Sequence, residues 1–271
     1  MGKTIFSTLF LAGVLLLAQT VFAADERLTI TGSSTVAPLA LEIAKRFEKT
    51  YPGTRIDVQS GGSSRGIADA RSGRADLGMV SRALKSNETD LIAHTIAKDG
   101  IGIIVHASNN LTTLSEQQII DIFTGKISHW QSVNGKQGII NVVNKAEGRS
   151  TLELFLAHFD LKNSQIKASV IIGDNQQGIK TVSGNPQTIG YVSIGAAEYE
   201  ASMGTPIKLL PMSDIEASVR NVREGTYPLS RPLNFVSKSE PQGLAKQFID
   251  FAQSKAVNDL IEAQYFVPLA N

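Results

Sequence analysis

Three short runs of Gly, Ser and Thr carry the groups best suited to bind a small anion. They read Gly-Ser-Ser-Thr at residues 32–35, Gly-Gly-Ser-Ser-Arg-Gly at residues 61–66 and Gly-Arg-Ser-Thr at residues 148–151. Ser and Thr hydroxyls donate hydrogen bonds to an oxyanion, and Gly lets the backbone approach a ligand closely. One such run alone is typical of an ordinary helix N-cap. Three in one chain favour a single site around a tetrahedral anion.

The segments around the first two runs predict a parallel sheet. The pattern alternates strands at residues 28–30, 55–59 and 76–80 with helices, one carrying Leu39, Ile43 and Phe47 four residues apart and one at residues 64–71. This order predicts an α/β fold with right-handed crossovers, in which ligands bind beyond the carboxyl ends of the strands. Helix N-termini there offer unpaired N–H groups and a positive dipole end. Ser81 follows the third strand and falls at the same edge.

A second α/β pattern follows and predicts a second lobe. It contains helices at residues 115–123, 151–159 and 174–182 and strands at residues 139–143 and 189–192. Apolar segments at 101–106 and 207–210 indicate two crossings between the lobes. The expected architecture has lobe one at 24–105 plus 211–271, lobe two at 106–210, and a cleft between them. The tail, with a strand at 233–236 and a helix that starts at Pro241, is expected to rejoin lobe one.

The N-terminus has the pattern of a cleavable secretory signal. Lys3 precedes an apolar stretch at residues 5–18, and Val21-Phe22-Ala23 supplies the small residues of a cleavage site. This stretch is too short for a stable membrane anchor. The sequence therefore predicts a signal peptide at 1–23 and an exported, soluble protein, with the bacterial periplasm as the expected compartment.

Composition excludes several function classes. The chain has no cysteine, which rules out disulfides, thiolate metal sites and a lipid-modified cysteine. Its four histidines stand at no metal-ligand spacing. The net charge is +1 and Lys3 belongs to the signal, so the mature chain is neutral, which disfavours nucleic-acid binding. We expect no metal, no cofactor and a monomer.

Several motifs resemble those of one family. These are Thr29-Ile30-Thr31-Gly32-Ser33-Ser34-Thr35-Val36-Ala37-Pro38, Gly62-Ser63-Ser64-Arg65-Gly66-Ile67, Ala75-Asp76-Leu77-Gly78-Met79-Val80-Ser81-Arg82, Ile189-Gly190-Tyr191-Val192-Ser193-Ile194-Gly195 and Tyr227-Pro228-Leu229-Ser230-Arg231-Pro232-Leu233. Together they resemble the phosphate-binding proteins that feed bacterial phosphate ABC importers. The resemblance spans the mature chain and implies a two-lobed periplasmic binding protein that closes over one oxyanion. It also implies inorganic phosphate and a membrane permease as partners.

The resemblance implies ligand-binding residues in both lobes. Carried over by position, they are Ser34, Thr35, Ser63, Ser81, Lys145, Arg149, Ser150 and Thr151. Lys145 falls where the family usually has an Arg, whereas Arg149 replaces a Ser. Because Arg can hold two oxygens at once and Lys acts as a point charge, we expect Arg149 to be the main cation.

Ser81 is the sharpest departure from the family pattern. Many members have an Asp there, which accepts a hydrogen bond from protonated phosphate. Ser81 can also accept, but it carries no charge that repels a fully ionised anion. We therefore expect weaker exclusion of sulfate. Glu147 is a candidate substitute for the acceptor or a solvated turn residue, and Arg82 either reaches the cleft or pairs with Asp76 or another carboxylate.

Three other functions stay open at the level of sequence. The chain could bind another oxyanion such as sulfate, or serve as a phosphate-sensing or phosphate-scavenging surface protein. An exported phosphatase or serine hydrolase is disfavoured. Ser63 and Ser150 are the conceivable nucleophiles, but neither stands in a Gly-x-Ser-x-Gly motif or pairs with a His base. Ser150 with Lys145 has no diagnostic spacing.

Overall fold

A computed structural model of the protein describes residues 26–269, so the predicted signal peptide lies outside the described residues. The first part of the chain alternates strands and helices: β1 (Glu26–Gly32), α1 (Ala37–Thr50), β2 (Thr54–Ser60), α2 (Ser63–Ser72) and β3 (Leu77–Val80). β1 lies between β2 and β3 and pairs parallel with both. The predicted parallel α/β arrangement is confirmed.

The rest of the chain continues this alternation. The elements are β4 (Ile92–His106), α3 (Glu116–Phe123), β5 (Asn141–Lys145), α4 (Ser150–His158), β6 (Val170–Ile172), α5 (Asn175–Ser183), β7 (Thr188–Ser193), α6 (Ile194–Ser202), β8 (Ile207–Leu210), α7 (Val219–Glu224), β9 (Ser230–Ser237), α8 (Gly243–Ala252) and α9 (Asn258–Ala263). None of the helices within 26–269 combines the length and apolar character needed to cross a membrane.

One long strand joins the two halves of the sheet. The strand order is β2-β1-β3-β9-β4-β7-β5-β6, with β8 also paired to β4. β4 is antiparallel to β9 as far as Gly100, and from Ile101 onward it is antiparallel to β7 and β8. We call the side with β1, β2, β3 and β9 lobe one, and the side with β5, β6, β7 and β8 lobe two.

Each lobe has its own apolar core. In lobe one, Phe47 of α1 packs edge-on against Phe248 of α8, with ring centroids 5.3 Å apart. In lobe two, Phe155 of α4 stacks on Tyr191 of β7 at 4.0 Å. Burying one such side chain is worth roughly 1.5–3 kcal/mol, so each lobe is held together largely by its own contacts.

The structure also differs from the sequence-based expectations. β4 begins at Ile92, well before the predicted strand at 101, and β6 was not predicted. Pro241 precedes α8, which begins at Gly243. The lobe bounds after residues 105 and 210 stay a prediction. The pairing of β4 changes at Gly100, and Val222 of α7 packs in the core of lobe two.

Candidate functional site

A small cavity lies where the two lobes meet. Its lining residues come from the ends of three strands and the starts of three helices: Ser33, Ser34, Thr35, Gly62, Ser63, Ser81, Arg149, Ser150 and Thr151. All the residues predicted to bind an anion are among them except Lys145. The structure thus brings together side chains that lie more than a hundred residues apart in the sequence.

Three helices, α1, α2 and α4, begin at this cavity. In the described part of the chain, α2 and α4 have no side-chain cap, whereas the Ser33 hydroxyl accepts from the N–H groups of Thr35 and Val36 at the start of α1. The helices α3, α5, α6 and α7 are each capped by a Ser or Asp side chain. α8 and α9 also lack side-chain caps but do not line the cavity. The first-turn N–H groups of Ser63, Ser150 and Thr151 find no acceptor among the described residues. These donors and the three positive dipole ends suit a negatively charged ligand.

Gly62 allows the loops of the two lobes to touch. Its φ is 99°, in the left-handed region, and a Cβ atom there would lie 2.8 Å from the carbonyl oxygen of Gly148. The neighbouring N–H of Ser64 donates to the same oxygen at 3.1 Å. A side chain at position 62 would therefore hold the lobes apart.

Arg149 and Ser150 are lining residues whose side chains have no partner among residues 26–269. The half-buried Arg149 side chain lies against Gly62 and forms no ion pair with any described carboxylate. The Ser150 hydroxyl is buried and makes no hydrogen bond. Leaving a buried hydroxyl unpaired costs about 1–3 kcal/mol, which a hydrogen-bonding ligand would offset.

Lys145 lies behind the cavity. It ends β5, is 3% exposed, and its Nζ donates to the Asn175 side chain at 2.9 Å. Burial and the nearby charge of Arg231 lower the pKa of Lys145 to about 7. No described carboxylate lies within ion-pairing distance of this ammonium group. Its place in the structure is that of a buried cation lacking a counter-charge.

Arg231 is the main residue at this site that sequence reasoning missed. It lies on β9, is 3% exposed, and pairs with Asp99 of β4 at 2.8 Å. Its guanidinium also donates to the hydroxyls of Thr35, Ser81 and Thr151. It thus contacts cavity residues from both lobes. No local pattern marks this pair, because Lys98 adjoins Asp99 in β4 and a polar residue also precedes Arg231 in β9.

Asn175 is a second residue that the sequence analysis passed over. It is buried at the first position of α5, accepts from Lys145, and donates to the Thr35 hydroxyl at 3.2 Å. A larger groove runs past Asn175 and shares Ser34 and Thr35 with the cavity, but its other walls include Leu41 and the carboxylate-bearing Asp174. An anion is therefore better placed in the cavity than in the groove.

Arg82 and Glu147 have their own partners. Arg82 is buried and pairs with Glu88 at 2.7 Å and with Glu153 at 2.8 Å, not with Asp76. Glu147 is exposed and accepts from Asn163 at 3.1 Å, outside the cavity lining. The structure therefore gives Glu147 a solvated turn position and leaves no described carboxylate among the lining residues.

A family comparison accounts for this arrangement. The family model described as a PBP superfamily domain matches residues 18–256, most of the chain. The chain belongs to the PBP superfamily. Among solved structures, the chain is similar to an ABC-type phosphate transport receptor from Vibrio cholerae, which is 29% identical with a TM-score of 0.74, covering 89% of this chain and all of that one. The two-lobed architecture follows this family.

Two further PBP relatives are similar over nearly their whole length. A Clostridium perfringens protein described as a phosphate ABC transporter substrate-binding protein was solved with bound phosphate. It is 30% identical with a TM-score of 0.83, covering 90% of this chain and 100% of that one. The phosphate-binding protein PstS of Bacillus subtilis (strain 168) is 26% identical over 253 residues, which is 92% of this chain and 82% of PstS.

Proposed function

We propose that this protein captures inorganic phosphate in the cavity between its lobes and delivers it to an ABC importer. The observation that carries the proposal is that three helix starts, two of them uncapped, and the unpaired Arg149 meet around one small cavity. The names of the relatives supply phosphate as the ligand to test first. An anion there would accept hydrogen bonds that no described protein group accepts.

The ligand-binding residues that we propose are Ser34, Thr35, Ser63, Ser81, Arg149, Ser150 and Thr151, with Lys145 acting from behind the cavity. Charge-assisted hydrogen bonds from backbone N–H groups to an oxyanion are shorter and stronger than neutral ones. Ligand at a thousandfold excess over its Kd would stabilise the folded protein by about 4 kcal/mol. Capture of one anion per chain should therefore be visible in thermal unfolding.

The proposed transport function also predicts where the protein acts and which partners it binds. An exported monomer released by cleavage after Ala23 would meet phosphate in the periplasm and then dock on the permease. A binding protein that senses or scavenges phosphate at the surface would use the same cavity. Gene neighbours that encode a permease and an ATPase would support transport.

No described group supports hydrolysis. Ser64 stands in a Gly-x-Ser-x-Gly sequence, but its hydroxyl contacts no histidine, and the carboxylate 3.4 Å away, Glu153, is already held in ion pairs with Arg82 and Lys85. The hydrogen bonds and ion pairs of the histidine rings within 26–269 go to Ser237, Ser108, Ser128 and Glu116, away from the cavity. A serine nucleophile needs a neighbouring base, so binding without turnover is the function proposed.

Calorimetry on ligand-free protein tests the proposal. The protein is unfolded and refolded to remove any carried anion, then titrated with phosphate, sulfate, arsenate and molybdate. We expect one phosphate per chain, and Arg220→Ala, which removes an exposed Arg far from the cavity, should bind like the native protein. Refolded native protein that binds none of these anions would refute the proposal, and turnover of a chromogenic phosphate ester would replace it with an enzyme.

A further inference from the structure

Arg231 contacts the walls of the cavity but is itself no part of the lining. Its Nε and Nη2 donate to Asp99 at 3.2 and 2.8 Å. Nη1 donates to Thr151 at 2.9 Å and to the Ser81 hydroxyl at 3.3 Å, and Nη2 donates to Thr35 at 3.3 Å. These contacts engage every nitrogen of the guanidinium. Arg231 therefore acts on a ligand through the three hydroxyls.

At Thr35, both lone pairs of the hydroxyl oxygen are engaged. One accepts from Arg231 and the other accepts from Asn175 Nδ2 at 3.2 Å. The orientation of that amide is fixed, because its Oδ1 accepts from the backbone N–H of Ser193 at 3.4 Å, a group that can only donate, as well as from Lys145. The hydroxyl proton of Thr35 is thus left to donate, and Thr35 lines the cavity.

At Ser81, the same reasoning runs through Ser33. The Ser33 oxygen accepts from the N–H groups of Thr35 and Val36, at 3.2 and 3.4 Å, so its proton donates to Ser81 at 3.0 Å. Ser81 also accepts from Arg231. With both lone pairs engaged, Ser81 can offer its proton but cannot accept one.

Thr151 completes the set from lobe two. Its oxygen accepts from Arg231 at 2.9 Å, the shortest of the three contacts, and its proton has no acceptor among the described residues. A ligand oxygen in the cavity is the group positioned to take that proton, since Thr151 also lines the cavity.

We propose that Arg231 is a positioning residue that makes Thr35, Ser81 and Thr151 hydrogen-bond donors toward a bound oxyanion. The proposal rests on the proposed function and narrows its ligand. The anion must present unprotonated oxygens to these three hydroxyls, as sulfate or a doubly ionised phosphate does. The single proton of that phosphate would face Ser150, whose oxygen is unpaired. The sequence-based expectation that Ser81 could accept the phosphate proton is thereby replaced.

The variant Ser81→Ala tests whether the Ser81 hydroxyl donates a hydrogen bond to the anion or accepts one from it, because sulfate carries no proton and can only accept. If Ser81 donates, the variant should bind sulfate and phosphate each about 10- to 100-fold more weakly, by similar factors. If Ser81 accepts, phosphate binding falls and sulfate binding stays. The second result, or unchanged binding of both anions, would overturn the proposal. Native protein that binds neither anion would instead refute the proposed function.

Arg231→Lys tests the positioning role directly. Lys can keep the charge opposite Asp99 but lacks the planar fork that reaches three hydroxyls. In the native protein the ratio of phosphate to sulfate affinity should rise as pH increases from 5.5 to 8 and phosphate loses a proton. In Arg231→Lys the hydroxyl lone pairs that Arg231 engages are free to accept a proton from singly ionised phosphate. The rise of the phosphate-to-sulfate affinity ratio with pH should therefore be severalfold smaller.

The affinity for sulfate is the reference that separates the titration of protein groups from the protonation of phosphate. The titratable groups that face Arg231 or Asp99 are Lys145, Tyr227 and Glu198, and they act on both anions alike. Arg74→Lys, at an exposed Arg that pairs with the buried Asp69, is the matched control and should keep the native rise. Sulfate binding shows that Arg231→Lys is folded. An unchanged pH dependence of the ratio in Arg231→Lys would overturn the positioning role.

Discussion

Two contacts between the lobes each contain a buried cation, and they differ in how its charge is matched. Arg82 of lobe one pairs with Glu153 of α4 at 2.8 Å and with Glu88 of its own lobe. Lys145 of lobe two contacts neutral Asn175, which in turn donates to Thr35 of lobe one. One contact is an ion pair across the cleft and the other is a chain of neutral hydrogen bonds.

The pKa values express the same difference. Burial alone lowers the pKa of Arg82, but its hydrogen bonds to Glu88 and the charge of Glu153 leave that pKa raised overall. The pKa of Lys145 falls to about 7, because burial and Arg231 oppose its charge. The Arg82 contact is thus complete without a ligand, whereas the Lys145 contact lacks one negative charge. A bound anion would supply that charge.

Of the changes considered, removing Arg149 should have the largest effect on anion binding. Arg149→Ala leaves the anion without its lining cation, and we expect binding to weaken by about 2–5 kcal/mol. Isothermal titration with phosphate measures it, and Lys145→Ala should lose less because Lys145 lies behind the lining. Equal and small losses for both variants would contradict the assignment of Arg149 to the ligand.

Lys145→Met should raise stability while it weakens anion binding. Replacing even paired buried charges by apolar residues of similar volume is often neutral or stabilises a protein by about 1–4 kcal/mol, and Lys145 has no ion-pair partner to lose among the described residues. Because the pKa of Lys145 is lowered to about 7, the unfolded chain holds a proton that the folded chain has lost between pH 7 and roughly 10.4. Native stability should therefore rise with pH across that window, and denaturant titrations of Lys145→Met should lack the rise.

Anion binding should also raise the pKa of Lys145. At pH 8 the native protein should then take up part of a proton when sulfate binds, measured by calorimetry in buffers of different ionisation enthalpy. Lys145→Met should show no uptake. Equal proton uptake by the native protein and by Lys145→Met would mean that a group other than Lys145 takes up the proton.

Glu153→Gln should weaken the contact at Arg82. We expect a loss of about 1–2 kcal/mol in ligand affinity, between the values for exposed and buried pairs, because closure of the cleft loses an ion pair. Glu88→Gln is the matched control, since it faces the same Arg82 within lobe one and should lower the free energy of unfolding instead. If Glu153→Gln binds phosphate like the native protein, the pair does not contribute to closure.

Lys85→Ala should have the smallest effect. Its ammonium lies 3.0 Å from Glu153, but the side chain is half exposed. Solvent screens such a pair, so affinity should change by less than about 1 kcal/mol and the change should disappear in high salt. A larger, salt-independent loss would place Lys85 inside the buried contact beside Arg82.

Local patterns were sufficient to predict most elements. Leu39, Ile43 and Phe47 are spaced for one helical face, and all three are buried in α1. The first part of β4 was missed because its apolar positions are interrupted by polar ones such as His94 and Lys98, and its pairing with β9 lies far away in sequence.

The Ser- and Thr-rich loops of the candidate site could be predicted from the sequence. Each Ser and Thr run carries its own signal, because Gly and hydroxyl residues cluster at helix starts. Arg231 has no such local signal. Its role depends on β9 lying next to β4, which places it beside Asp99 and behind Thr35 at once. Residues that act through tertiary neighbours are the part that one sequence leaves open.

The continuity of β4 has a mechanical consequence. This strand belongs to both lobes, and its partner changes between Gly100 and Ile101. Any rotation of one lobe against the other must therefore be absorbed as twist along a hydrogen-bonded strand rather than by bending a loose loop. Such a joint resists large opening and returns to its resting angle. The protein would then alternate between two nearby shapes at low amplitude, with the amides around Gly100 the first in β4 to exchange with solvent deuterium.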